Sequence, residues 1–162
     1  MTTPVDVAAF LKQAEATGVK IATAESCTGG MLAATLTDIA GSSAVVDRGY
    51  VTYSNTAKQD MLGVRPATLD AYGAVSEQVA QEMADGALAR ARVQLAVSIT
   101  GIAGPGGSDH KPEGRVCFGL ATTGQPTVTE TIEFGAIGRA HVRNAACDHA
   151  LALLQRSLSH FG

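Results

Sequence analysis

The alternation of helix-like and strand-like segments through the first two thirds of the chain is the feature that most constrains its fold. Apolar residues recur at helical spacing in some segments, and they run together or alternate at period two in the short segments between them. The predicted helices are 4–16, 30–39, a short one that carries Lys58 and ends at Gly63, 66–72, 76–91 and 138–159, and the predicted strands are 20–24, 44–53, 93–100, 116–122 and 127–134. We therefore predict a three-layer α/β/α sandwich with a mixed, mostly parallel sheet.

The size and composition of the chain indicate a folded globule. Its 162 residues are 46% apolar and 17% charged, which predicts one domain over 1–162 with a real core. No apolar run approaches the about 18 residues of a membrane span, and the N-terminal residues do not resemble a signal peptide. The three cysteines are far apart and show no metal-ligand spacing. We expect a cytoplasmic protein with free thiols, no membrane partner, no metal and no cofactor.

The charge of the chain argues against nucleic acid as a partner. The formal net charge is −3, aromatic residues make up 4%, and no basic run is present. Binding to phosphate backbones needs concentrated Lys and Arg, and binding to single strands needs aromatic stacking surfaces. A DNA-binding role is therefore the least favoured function class.

Three polar, glycine-rich patches each follow a predicted strand. They cover residues 25–30, 53–58 and 100–107. In open α/β sheets, ligand sites lie beyond the carboxyl ends of the strands. If the three strands are parallel, the patches meet at one rim of the sheet, where we predict the functional site.

Ser26 is a candidate nucleophile, which would need a base. Lys58 is the preferred base, because burial can lower the pKa of a lysine amine, and Tyr53 could relay the proton. Three of the four histidines lie in or after the last predicted helix, so a Ser-His-Asp triad has less support. In the simpler interpretation, Ser26 or Thr28 caps the following helix, Lys58 is solvated and Tyr53 lies at the edge of the core.

Two neighbours of Ser26 have alternative roles. Cys27 is a rival nucleophile, since a helix N-terminus lowers the pKa of a thiol, or it is a small buried apolar residue. Glu25 is a general base, or its carboxylate accepts hydrogen bonds from backbone amides of the turn.

The remaining candidates would bind an anion. The loop that begins at Thr100 could offer backbone amides to a phosphate or an oxyanion, although it lacks the Walker spacing. Arg139 and Arg143 lie one helical turn apart and could clamp a phosphate. Alternatively, they are two surface arginines.

Together these motifs resemble the C-terminal domain family of the competence/damage-inducible protein CinA, which includes stand-alone nicotinamide-nucleotide amidohydrolases. The resemblance covers about residues 5–158. Its motifs are AESCTGG at 24–30, RGYVTYSN at 48–55 with Lys58, GAVS at 73–76, TGIAGPGG at 100–107, KPEG at 111–114, and FG at 134–135 with Arg139 and Arg143. The family usually has Phe-x-Gly-Asp-Arg before the last helix, whereas this chain has no acidic residue before Arg139.

The resemblance implies hydrolysis of nicotinamide mononucleotide to nicotinate mononucleotide and ammonia, in pyridine-nucleotide salvage. It makes Ser26 the nucleophile, Lys58 its base and Tyr53 an assisting hydroxyl, and it implies no metal and a homo-oligomer. The predicted substrate-binding residues are Glu25, Cys27, Thr28, Gly29, Gly30, Asn55, Thr100, Gly101, Ile102, Ala103, Gly104 and Arg139.

A non-catalytic nucleotide-binding or regulatory module is the alternative function. It would need the glycine-rich loops and Arg139, but it would not need Lys58 to lie near Ser26.

Overall fold

A five-stranded mixed sheet forms the centre of the computed structural model, which describes residues 4–108 and 110–161. The strands are β1 (Ile21–Glu25), β2 (Val46–Val51), β3 (Leu95–Gly101), β4 (Arg115–Thr122) and β5 (Val128–Glu133). Their order in the sheet is β2-β1-β3-β4-β5, with β1 parallel to both β2 and β3 and with antiparallel pairs β3–β4 and β4–β5. Only β4 therefore runs against the other four strands, which confirms the predicted mixed, mostly parallel sheet.

Helices cover both faces of the sheet. They are α1 (Val7–Thr17), α2 (Met31–Thr37), α3 (Asn55–Leu62), α4 (Pro66–Tyr72), α5 (Glu77–Ala91) and α6 (Arg139–Ser157). One core cluster joins α1, α2 and α6 to the sheet, and a second joins α3, α4 and α5 to the opposite face. The predicted three-layer α/β/α sandwich is confirmed.

The two faces of the central strand β3 carry side chains of different size. Leu95 and Val97 pack into the core under α1, α2 and α6, whereas Ala96 faces α5. On the neighbouring strand β4, a Cβ added to Gly119 would lie 2.5 Å from the backbone oxygen of Ala80 in α5. Small residues on this face therefore let α5 lie close against the sheet.

Several predicted boundaries were wrong by a few residues because local caps decide where elements begin. Helix α1 begins at Val7 rather than at residue 4, since Oδ1 of Asp6 accepts a hydrogen bond from the amide of Ala9 at 3.0 Å. The second strand is shorter than 44–53, because Ser42–Ala44 form a 3₁₀ turn before it. Residues 1–3, 109 and 162 lie outside the described residues, and they include part of the N-terminal stretch that was compared with a signal peptide and the end of the loop after Thr100.

Gly49 allows β2 to approach its neighbour closely. A Cβ at this position would lie 2.7 Å from Oγ1 of Thr23 on β1. The register between the two strands shifts nearby, with Ile21 opposite Val46 and Ala22 opposite Arg48.

In the part of the chain that the structure describes, no helix has the length and apolar character needed to cross a bilayer.

Gly86 makes the tightest contact between α3 and α5, so we predict that Gly86→Ala destabilises the fold. In a helix interior, Gly→Ala ordinarily stabilises by about 1 kcal/mol. At this position the added Cβ would lie 2.0 Å from the backbone oxygen of Leu62, and overpacking of that kind costs about 1–3 kcal/mol. Urea unfolding should therefore give a lower free energy of unfolding for the variant. The exposed position Ala89 on the same helix provides the control, since Ala89→Gly reports helix propensity alone. A stabilising effect of Gly86→Ala would contradict this prediction.

Candidate active site

The turn that carries Ser26 continues the ladder of β1 by one residue. The amide of Ser26 donates to the backbone oxygen of Ile99 at 2.9 Å. The chain then turns through Gly29 and Gly30, whose φ angles of 58° and 105° lie in the left-handed region that glycine adopts without strain. Helix α2 begins at the next residue, so Ser26 lies where a strand turns into a helix.

The cap of α2 is not the one that the simpler interpretation predicted. Gly30 is the N-cap and makes no side-chain cap hydrogen bond, so the expectation that Ser26 or Thr28 caps this helix was wrong. Glu25 fills that role from the end of β1, because its Oε1 accepts from the amide of Leu32 at 2.9 Å and its Oε2 from the amide of Ala33 at 3.0 Å.

Glu25 is therefore oriented toward the backbone. Its side chain is only 1% exposed, and both of its oxygens accept hydrogen bonds from helix amides. Of the two roles that the sequence left open, this geometry matches acceptance of backbone amides and does not offer the carboxylate to a substrate. The contact between Glu25 and substrate stays a prediction.

Lys58 lies inside the protein next to Ser26. Helix α3 begins after Ser54, whose Oγ accepts from the amide of Ala57 at 3.0 Å, and Lys58 follows in the first turn with 1% exposure. Its Nζ lies 3.1 Å from Oγ of Ser26 and donates to the backbone oxygen of Thr52 at 3.0 Å. The prediction of a solvated lysine is excluded by this burial.

The surroundings of Lys58 favour a neutral amine. Burial lowers the pKa of Lys58 below its usual value, because a desolvated ammonium is less stable than the amine. Among the described residues, no carboxylate lies within 4 Å of its Nζ to hold the proton in place. A neutral amine within hydrogen-bond distance of a serine hydroxyl can accept the proton of that hydroxyl.

Two cavities of about 240 and 320 Å³ form one cleft beside this pair. They share the residues Ala74, Val75, Gly101, Ala103 and Arg139. The smaller one also contains Ser26, Cys27, Tyr53, Asn55, Lys58 and Thr100, and the larger one extends along Ile102 and residues 104–108 to Lys111. The structure thus brings the three predicted patches together at the carboxyl ends of β1, β2 and β3.

Tyr53 and Arg139 border the cleft and contact each other. Nη2 of Arg139 donates to the hydroxyl of Tyr53 at 3.0 Å, and its Nη1 donates to the backbone oxygen of Gly104 at 2.7 Å. Tyr53 is 62% exposed, and over the described residues its hydroxyl makes no hydrogen bond to Ser26 or Lys58. The hydroxyl of Tyr53 is therefore not hydrogen-bonded to the Ser26–Lys58 pair, between which the sequence analysis expected it to relay a proton.

The two arginines of α6 diverge. Arg139 lines both cavities, whereas Nε and Nη2 of Arg143 donate to the backbone oxygens of Cys27 and Thr28 at 3.0 and 3.3 Å. The sequence analysis offered two interpretations of Arg139 and Arg143, a joint clamp on one phosphate and a pair of surface arginines. Neither interpretation matches this arrangement. Over the described chain, Thr28, Gly29 and Gly30 form the turn and line neither cavity, so their contacts with substrate stay predictions.

Two residues without a predicted role hold the walls of the cleft. Nζ of Lys111 donates to the backbone oxygens of Tyr72 and Val75 at 2.5 and 2.6 Å, and Oε1 of Glu113 accepts from the amide of Gly106 at 2.5 Å. The KPEG motif at 111–114, which places two charged residues next to a glycine- and proline-rich loop, was the available signal.

Cys27 is buried, and its surroundings keep the thiol protonated. Burial raises the pKa of Cys27 to about 11, and this effect exceeds the opposing influence of Arg143. Of the two interpretations left open by the sequence, a small buried residue fits this environment and a thiolate nucleophile does not.

His149, a residue of α6, is not part of the cleft, because its Nε2 contacts Oε1 of Glu130 instead. Within residues 4–108 and 110–161, no three His, Cys, Asp or Glu side chains cluster as metal ligands would.

Comparison with known proteins identifies the family. A family model described as the CinA C-terminal domain matches residues 6–158. The chain belongs to the CinA C-terminal domain family. The resemblance predicted from the sequence motifs is thereby confirmed.

Relatives in this family differ in length. The chain is 54% identical over 141 residues to the nicotinamide-nucleotide amidohydrolase PncC of Escherichia coli K12, covering 86% of this chain and 85% of that one. It is 57% identical over 120 residues to a CinA-like protein of Chlorobium phaeobacteroides, of whose length the match spans only 29%. Family members thus contain the matched region either as nearly the whole protein or as a smaller part.

Solved structures of the family share the fold. The competence/damage inducible protein CihA of Agrobacterium tumefaciens is 47% identical, with a TM-score of 0.88 and coverage of 98% of this chain and 99% of that one. A CinA superfamily protein of Klebsiella pneumoniae is 40% identical, with a TM-score of 0.90 and coverage of 95% and 96%.

We predict that Cys27 of the native protein resists alkylation at neutral pH. A thiol with a pKa of about 11 has little thiolate at pH 7, and the thiolate is the reactive form. Mass spectrometry after treatment with iodoacetamide should find Cys27 unmodified in the folded protein and modified after denaturation. Rapid, selective labelling of native Cys27 would contradict this prediction and support the thiol nucleophile.

Proposed function

We propose that this chain hydrolyses the carboxamide of nicotinamide mononucleotide to nicotinate mononucleotide and ammonia. The observation that carries the proposal is the 3.1 Å separation between Nζ of buried Lys58 and Oγ of Ser26 at the edge of a cleft. The name of the Escherichia coli relative, which matches over most of both chains, supports the substrate and confirms the expectation of an amidohydrolase at the level of the family. We infer that the chain acts as one domain of this kind.

In the first half of the reaction, Ser26 attacks the carboxamide. Its Oγ forms a bond to the carbonyl carbon while neutral Lys58 accepts the hydroxyl proton, and the carbonyl oxygen becomes an oxyanion. Backbone amides of the turn after Ser26, or of the loop that begins at Thr100, stabilise that charge, and one such donor is commonly worth about a hundredfold in rate. The C–N bond then breaks, and the Lys58 ammonium returns its proton to the leaving nitrogen, which departs as ammonia.

In the second half, water releases the product. The ester between Ser26 and the nicotinoyl group is attacked by water, and Lys58 accepts a proton from that water. The bond to Oγ breaks, and Lys58 returns the proton to the serine. The reaction balances as one carboxylate nucleotide and one ammonium ion for each amide and water consumed, because the acid released from Ser26 passes its proton to the ammonia.

The rest of the substrate extends along the larger cavity. With the carboxamide at Ser26, the phosphoribosyl group reaches the space between Arg139 and residues 104–108. A guanidinium has five N–H donors, and Arg139 uses two nitrogens for Gly104 and Tyr53. Its remaining donors match the oxygens of a phosphate.

We propose that the protein is a homo-oligomer of the cytoplasm. We infer a homo-oligomer because the edge strands β2 and β5 expose the apolar side chains of Val51 and Val128, where a second copy could pair. Light scattering of the purified protein measures its oligomeric state. Fractionation of cells that produce the protein tests the cytoplasmic location.

The central prediction concerns ammonia release from nicotinamide mononucleotide with EDTA present. We expect Ser26→Ala to lose activity on the order of a thousandfold or more, and Lys58→Met about a thousandfold, because the first removes the nucleophile and the second its base. Cys27→Ala serves as the matched control at the neighbouring position and should change the rate little. Near-native turnover by Ser26→Ala would exclude the mechanism. A folded wild type that binds the nucleotide without releasing ammonia would be the non-catalytic binding module instead.

The pH dependence of the rate follows from the lowered pKa of Lys58. Only the neutral amine accepts a proton, so kcat/KM should rise with pH and level off once the pH exceeds that pKa. Because burial places the pKa below the usual value of 10.5, the plateau should begin below that pH. Stopped assays between about pH 6 and about pH 10 would reveal it. A rate that falls with rising pH, while the fold is intact, would exclude a lysine base.

A further inference from the structure

We propose that Arg143 is a positioning residue, which holds the turn carrying Ser26 in its reactive geometry through the backbone oxygens of Cys27 and Thr28. This inference rests on the proposed amide hydrolysis. It assigns to Arg143 a different task from that of Arg139, although the two arginines lie one turn apart on α6.

The contact uses two nitrogens of one guanidinium. Nε of Arg143 donates to the oxygen of Cys27 at 3.0 Å, and Nη2 donates to the oxygen of Thr28 at 3.3 Å. A planar fork can bridge two neighbouring acceptors in this way, whereas a lysine ammonium is a point charge on a flexible stem. Hydrogen bonds from a charged donor are also stronger than those between neutral groups.

These two bonds fix the peptide units that follow Ser26. In a planar trans peptide, the C=O of one residue and the N–H of the next point in opposite directions. The held oxygens of Cys27 and Thr28 therefore set the direction of the amides of Thr28 and Gly29. On the inner side of the turn, the amide of Gly29 donates to the oxygen of Ser26 at 3.0 Å.

Gly29 lies beside the guanidinium. Its φ of 58° is left-handed, and a Cβ added there would lie 3.4 Å from Nη2 of Arg143. Ser26 is thus held on one side by the hydrogen bond from its amide to the backbone oxygen of Ile99. On the other side it is held by the turn whose carbonyl oxygens accept hydrogen bonds from Arg143. Misplacing a reacting atom by about 1 Å costs about a hundredfold in rate.

Arg143 acts from outside the cleft. Arg139 lines both cavities, and over the described residues Arg143 lines neither. Loss of Arg143 should therefore slow the chemical step without weakening the binding of the phosphate group. Loss of Arg139 should instead weaken the binding of the phosphate group without slowing the chemical step.

The experiment compares Arg143→Met and Arg143→Lys with Arg139→Met, using nicotinamide mononucleotide and nicotinamide riboside, which lacks the phosphate. We expect both Arg143 variants to lower kcat about 10- to 100-fold on either substrate, with KM little changed and the preference for the mononucleotide intact. Arg139→Met should instead raise KM for the mononucleotide and reduce that preference. Arg156→Met removes an exposed arginine farther along α6 and should leave kinetics unchanged.

A second readout does not depend on the substrate. The rate at which a fluorophosphonate labels Ser26 reports how well its hydroxyl is placed and activated, and it should fall about 10- to 100-fold in the Arg143 variants that still melt cooperatively. If wild type is labelled quickly but does not hydrolyse the nucleotide, the proposed function fails, while slower labelling of the variants still supports the positioning role. Unchanged labelling in a folded Arg143→Met variant, or a raised KM with unchanged kcat, would overturn it.

Discussion

The removal of the Lys58 amine from water beside the Ser26 hydroxyl is the interaction on which the site depends. A buried ammonium is costly unless a carboxylate pairs with it, and the described residues place none within 4 Å. The oxygen of Thr52 can accept a hydrogen bond from the neutral amine, and the hydroxyl of Ser26 can donate one to it. In the proposed mechanism, the same arrangement that makes the charged lysine unfavourable lets its neutral amine act as the base, as long as the neighbouring elements stay in place.

The sheet supplies that rigidity. Backbone bonds continue past the ends of the strands into the site: the amide of Ser26 bonds to Ile99 on β3, and the amide of Thr52 bonds to the oxygen of Glu25 on β1. Ser26, the proposed nucleophile, and the carbonyl of Thr52, which accepts from Lys58, are thus both joined to the ladder of parallel strands. A site that is built on strand ends keeps its geometry better than one on free loops.

The sequence predicted the location of the site at one edge of the sheet better than it predicted the role of each residue there. Polar patches after three parallel strands must meet at one edge, so the proximity of residues 25–30, 53–58 and 100–107 followed from topology. The task of Glu25 did not, because a carboxylate at a strand end can accept helix amides or face the cleft, and one rotamer decides between them. Arg139 and Arg143 share a helical spacing, yet one meets the loop at Gly104 and the other the turn at Cys27. Only the packing of α6 against α2 and the sheet separates these outcomes.

The missing acidic residue before Arg139 illustrates how backbone conformation limits side-chain choice. Gly138 occupies that position with φ 100° and ψ 145°, a conformation that an L residue adopts only with strain. An aspartate there would need a different entry into α6. Arg139 is oriented instead by the oxygen of Gly104 and the hydroxyl of Tyr53, and neither partner carries a formal negative charge. Among the described residues no carboxylate pairs with Arg139, so no ion pair there offsets the charge of its guanidinium, which is the property that the proposed phosphate subsite requires.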